Sequence, residues 1–150
     1  MLKSMFKTLL LASALTITGV AQAADITLRA TANSNENDED YDGLVVFKNY
    51  IENASNGAIA VEIFMGTQLC ATGEECLQGI ADGSLDVYIS TSGGAAGLFP
   101  YIQVLDLPYL MSDDRIAEEV LTGDFTRKLR EKALADSDNK IRLMTIGNTG

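Results

Sequence analysis

The chain has 150 residues, 47% of them apolar and 21% charged, so it carries enough apolar material to bury a core and is no disordered polymer. Eleven basic against 21 acidic side chains give a net charge of −10, the wrong sign for nucleic acid, whose phosphates call for a basic face. There is no histidine, which removes Ser–His and Cys–His nucleophiles, imidazole metal sites and histidine pH switches together.

Lys3 and Lys7 precede an uncharged, largely apolar run over residues 8–20, and Ala21-Gln22-Ala23 follows as a small-x-small triplet. A basic start, an apolar stretch and such a triplet are the parts of a secretory signal peptide, and the run falls short of the ~20 residues of a spanning helix. Cleavage after Ala23 removes Lys3 and Lys7, moves the net charge to −12, and leaves an exported, acidic chain.

Residues 26–32 alternate and open as a strand, followed by a polar loop over 33–42. From Gly43, the apolar Leu44, Phe47, Tyr50 and Ile51 recur at helical spacing, with Asp40 or Asp42 as the cap and Asn56-Gly57 as the stop. Residues 58–64 read as a second strand. A second helix begins at Thr72, where Thr72-Gly73-Glu74-Glu75 fits a capping box, and ends at Gly83. A third strand over 85–89 leads into the turn Ser90-Thr91-Ser92-Gly93-Gly94. Helices are predicted over 113–121 and 124–135, and a closing strand over 140–146. Strands alternating with helices predict an α/β fold with a mainly parallel sheet.

Open α/β sheets bind ligands beyond the carboxyl ends of their strands, which singles out the 33–42 loop and the 90–94 turn. The turn offers hydroxyls and glycine backbone to a small polar ligand, or serves as an ordinary connection. The acids Glu36, Asp38, Glu39, Asp40 and Asp42 lack calcium-loop spacing, so no metal is expected. Ser92 has neither a nucleophile elbow nor a histidine to activate it. A hydrolase built on two carboxylates is the alternative chemistry, although no pair stands out. Cys70 and Cys76, meeting an oxidising compartment, form either a structural disulfide worth about 2 kcal/mol or two free thiols.

Three blocks carry a family likeness. Val61-Glu62-Ile63-Phe64 with Gly66-Thr67-Gln68-Leu69, then Gly79 with Gly83-x-Leu85-Asp86-Val87, then Val104-Leu105-Asp106-Leu107-Pro108-Tyr109-Leu110 resemble blocks of the solute-binding proteins of tripartite ATP-independent periplasmic (TRAP) transporters. The resemblance implies a two-lobed periplasmic-binding-protein fold, with residues 24–139 as the N-terminal lobe and 140–150 as a strand crossing to a second lobe that is nearly all missing. It implies a periplasmic binding subunit and no enzyme, capturing a small organic acid without a cofactor and delivering it to a membrane permease. An importer subunit of the ATP-driven kind shares the fold and stands as a further alternative. Carried over by position, the ligand contacts are Asn35, Glu36, Asn37 and Asp38 in the first loop and Thr91, Ser92 and Gly93 after the third strand. An arginine that pairs with the ligand carboxylate is expected beyond Gly150. Met65 stands where the family has proline, and Asp38-Glu39 where it often has His-Pro; an acidic loop there disfavours a plain dicarboxylate.

Overall fold

The computed structural model describes residues 24–147; the segment 1–23, expected above to be a signal peptide, lies outside the described residues. Three strands, β1 (Ile26–Ala32), β2 (Ile59–Met65) and β3 (Val87–Ile89), form a parallel sheet in the order β2-β1-β3. Ala30, Thr31 and Ala32 of the central strand are all fully buried, as a parallel strand covered on both faces must be. Thr31 satisfies its hydroxyl by donating to the Phe64 carbonyl at 2.7 Å.

Helix α1 (Glu39–Ala54) lays Leu44, Phe47 and Ile51 on one face of the sheet, against Ala30, Ala32, Val61 and Met65. Helix α2 (Gly73–Asp82) belongs to different clusters, with Leu77 beside Phe99 and Ile102, and Cys76 beside Leu85. Two crossovers of one hand that step to opposite sides of β1 must place their helices on opposite faces, which accounts for this split. Then follow a four-residue helix α3 (Ser92–Ala95), a 3-10 segment (Pro100–Asp106), and helices α4 (Asp114–Thr122) and α5 (Asp124–Asp136). Among the described residues no helix is long and apolar enough to cross a membrane.

Local chemistry sets several boundaries as expected. Thr72 caps α2 by accepting from the Glu75 N–H at 3.2 Å, and Gly83 closes it at φ 81°, a left-handed geometry that suits glycine. The capping box is shifted by one residue: the Glu75 carboxylate accepts from Ala71 N at 2.8 Å rather than from the cap residue.

Other boundaries differ. Helix α1 begins at Glu39, not Gly43, and neither Asp40 nor Asp42 caps it. Asp38 holds the cap position with its carboxylate turned back to Asn35, while Asp40 accepts from Ser34 Oγ at 2.7 Å. Carboxylates in the first turn suit the positive end of the helix dipole, which lets the helix start inside the acidic run. The third strand is shortened to Val87–Ile89: Asp86 N still donates to the Arg29 carbonyl at 3.1 Å, but Arg29 N goes to the Asp86 carboxylate at 2.8 Å and not to a backbone carbonyl. The turn expected at 90–94 runs into α3, which starts at Ser92 and ends at Ala95.

The closing strand expected over 140–146 is absent: residues 140–147 have no ladder among the described residues. Instead the Ser137 hydroxyl donates back to the Ala133 carbonyl at 2.8 Å and accepts from Ile141 N at 3.1 Å, and the Ile141 side chain is buried beside Leu129 and Ala133.

Candidate functional site

The carboxyl ends of β1 and β3 are adjacent, since Ala32 pairs with Ile89 and neighbouring strands lie ~4.8 Å apart. The two loops singled out above therefore leave the sheet side by side. The first is Asn33 to Asp38, a segment folded on itself through short-range bonds. Asn35 N and Nδ2 both donate to the Asp38 carboxylate, at 2.9 and 2.8 Å, and Asn37 N donates to Asn35 Oδ1 at 2.9 Å. Asn35 and Asp38 thus hold the loop in shape, whereas Glu36 and Asn37 present exposed side chains.

On the other side, Thr91 caps α3 by accepting from Gly94 N at 3.0 Å and keeps its own proton to donate. Ser92 Oγ donates a hydrogen bond to the Asp106 carboxylate, tying α3 to the 3-10 segment. Gly93 is exposed at the tip of this turn. Thr91, Ser92 and Gly93 form one group, and Asn35, Glu36, Asn37 and Asp38 another. The bridge between the two sides is Asn33, whose Oδ1 accepts from the Tyr88 hydroxyl at 2.5 Å.

Cys70 and Cys76 are joined as a disulfide, with Cα atoms 5.2 Å apart, and both are buried behind Asn33. Asn33 Nδ2 donates to the Cys70 carbonyl at 3.1 Å. Sequence reasoning passed over Asn33, Tyr88 and Asp106 as site residues. For Asn33 a signal existed, a polar side chain at the first position past the central strand; for Tyr88 and Asp106 the partners lie 55 and 14 residues away and leave no local trace. Glycine matters at one close approach: a Cβ on Gly73 would lie 2.8 Å from the Gly94 carbonyl carbon, so only glycine lets α2 meet α3 behind the site.

Two hollows of about 510 and 370 Å³ mark the described surface. The first lies along α2 beside Cys70, Thr72 and Leu85, and the second between α5 and the 142–144 segment, so neither contains the loop residues named above.

A parallel sheet with helices on both faces and two polar loops at its carboxyl edge is an open α/β arrangement, a class of fold that binds ligands beyond its strand ends. The chain belongs to the family described as bacterial extracellular solute-binding protein, family 7, whose profile matches residues 30–150. It is similar to a solute-binding protein of Verminephrobacter eiseniae, 27% identical over 130 residues that make up 82% of this chain and 38% of that protein. It is 25% identical over 115 residues to the 2,3-diketo-L-gulonate-binding periplasmic protein of Escherichia coli, covering 73% of this chain and 35% of the relative. The chain thus spans little more than a third of the length of the curated relatives it matches.

Among solved structures, a TRAP periplasmic solute-binding protein from Roseobacter denitrificans with bound L-galactonate superposes with a TM-score of 0.70 at 21% identity, over 77% of this chain and 38% of that one. A TRAP protein from Sulfurospirillum deleyianum with bound succinate gives 0.68 at 23% identity, over 75% of this chain and 36% of that one. At such identities the likeness is one of fold, and the fold is the two-lobed binding-protein type of which this chain matches an N-terminal portion. The TRAP resemblance of the three sequence blocks is borne out.

Proposed function

We propose that the chain is the N-terminal lobe, residues 24–139, of a periplasmic solute-binding protein that captures a small organic acid and delivers it to a TRAP permease. Residues 1–23 act as the export signal, and residues 140–150 begin the crossing to a second lobe of the kind the solved relatives have. The match of residues 30–150 to a solute-binding family carries this reading. Capture is non-covalent: two lobes close on the solute, exclude water, and so strengthen each polar contact made to it.

In this reading Asn35, Glu36, Asn37 and Asp38 line one side of the wall and Thr91, Ser92 and Gly93 the other. Hydroxyl and carboxamide groups beside Glu36 and Asp38 suit the hydroxyls of a sugar acid, which can donate to carboxylates. A second carboxylate on the solute would meet like charge, so an aldonate is preferred to a plain dicarboxylate. The relatives named above include binders of succinate, L-galactonate and 2,3-diketo-L-gulonate, which supports the organic-acid class.

The test is a thermal-shift panel with aldonates, uronates, dicarboxylates, amino acids and neutral sugars, read by circular dichroism because the sequence has no tryptophan. A ligand at 100 times its Kd adds about 2.7 kcal/mol to the stability of the protein that binds it. An aldonate raising Tm while neutral sugars do nothing is the expected result. A shift with amino acids or neutral sugars alone would refute the organic-acid reading.

A further inference from the structure

Asn33 sits at the first position past β1 and uses both ends of its carboxamide. Nδ2 donates to the Cys70 carbonyl at 3.1 Å, and Oδ1 accepts from the Tyr88 hydroxyl at 2.5 Å. Cys76 Sγ lies 3.6 Å from the same oxygen; a disulfide sulfur has no proton, so this is a packing contact and not a hydrogen bond. One side chain thereby touches both halves of the disulfide and the strand across the site.

The loop beyond Asn33 is held together from within. Asn35 N reaches Asp38, Asn37 N reaches Asn35 Oδ1, and Asp38 N reaches the Asn35 carbonyl at 3.1 Å. Bonds of such short span give the loop a shape but no fixed place on the sheet. Its place comes from the neighbouring segments: Asn33 to Cys70 and Tyr88, the Ser34 carbonyl accepting from Gly66 N at 2.8 Å, and Ser34 Oγ to Asp40. Of these, only Asn33 reaches the disulfide. The disulfide closes the 70–76 segment and so fixes the Cys70 carbonyl that Asn33 grips.

We infer that Asn33 is the positioning residue through which the Cys70–Cys76 disulfide holds the 34–38 rim loop against the sheet. Without the disulfide, the Cys70 carbonyl loses its fixed place, the Asn33 carboxamide loses the partner that sets its rotamer, and the bond to Tyr88 weakens with it. That the rim so held is a ligand wall rests on the proposed function; the mechanical link does not.

Amide hydrogen exchange at Asn35, Asn37 and Asp38 reads the link directly, in a double-mutant cycle on the full chain. The four forms are wild type, Asn33→Ala, Cys70→Ala/Cys76→Ala, and all three substitutions combined. Losing one bond of ordinary strength speeds local opening about fivefold. Asn33→Ala and the disulfide variant are each expected to speed exchange at these amides by about that factor or more. The combined form should be no faster than the faster parent, with β1 and β2 ladder amides unchanged relative to global stability. If the factors multiply, or if the disulfide variant leaves the three amides untouched, the inference fails. Tyr88→Phe removes only a hydroxyl and replaces Asn33→Ala in the cycle should the latter not fold. L-galactonate titration of the same proteins adds the functional arm. Wild type that takes up no acid while exchange is non-additive would sink the ligand reading and leave the Asn33 link standing.

Discussion

Gly73→Ala sets two effects of opposite sign against each other. Gly73 opens α2, and replacing a helical glycine by alanine ordinarily stabilises by about 0.5–1 kcal/mol, because glycine loses more backbone freedom on folding. Here the new Cβ would stand 2.8 Å from both the carbonyl carbon and Cα of Gly94. The obstacle is backbone, so no rotamer change clears it, and helix α3 must shift. Overpacking of this kind costs about 2 kcal/mol, the middle of its usual range, which outweighs the helical gain and leaves a net loss of about 1–1.5 kcal/mol. For a chain of this length the melting temperature should fall by about 3–6 °C. Gly43→Ala is the matched control, since its Cβ would meet only Ile89 Cδ1 at an ordinary 3.5 Å. There the helical gain acts alone, and a rise of about 1–3 °C is expected. Both are measured by circular dichroism under oxidising conditions. A Gly73→Ala protein as stable as wild type, or a Gly43→Ala protein that falls as far, would refute the claim that backbone contact between α2 and α3 decides the sign.

Two further predictions follow from the charge pattern and the backbone. Glu52 accepts from Lys48 Nζ and from Val61 N, and these bonds, the ammonium's first, hold its carboxyl below the ordinary value of 4.5. A carboxyl lowered by folding adds stability that is complete above that value and disappears as pH falls through the lower folded one. Glu52→Gln should therefore flatten the acid limb of a urea-unfolding series, and an unchanged limb would show that the pair contributes nothing. Tyr109 is 95% exposed at φ 64°, in a turn where Leu110 N donates to the Leu107 carbonyl at 3.3 Å. Asparagine tolerates that geometry better than an aromatic residue, so Tyr109→Asn should stabilise by about 0.5–1 kcal/mol; a lower melting temperature would mean that the ring makes contacts its exposure conceals.

Local chemistry was readable wherever the partners sit within one turn or one strand of each other. Thr72 and Glu75 marked the start of α2 and Gly83 its end because capping is settled over three or four residues. Apolar alternation in 26–32 and 58–64 marked β1 and β2 because successive side chains of a strand point to opposite faces, although β1 is covered on both. Helix α3 escaped notice since Ser92, Gly93 and Gly94 are weak helix formers. It is held by the Thr91 cap and by the buried Ala95, and its approach to Gly73 is a tertiary contact. The closing strand over 140–146 was expected from apolar spacing, but spacing carries no partner, and the Ser137 hydroxyl takes the Ile141 N–H that a neighbouring strand would have used.

The sequence alone determined the α/β class, the family blocks, the exclusion of histidine chemistry and, with only two cysteines in the chain, the one intramolecular disulfide available. It also located the two loops at the carboxyl edge of the sheet. Only the tertiary structure decided that β1 is central, that the first loop therefore stands beside the third, and that Asn33 joins them to the disulfide. Those contacts span 37 to 55 residues of chain. Periodicity and capping encode which way a residue faces and where an element stops; which distant segments meet depends on how strands cross and stack, and no local pattern records it.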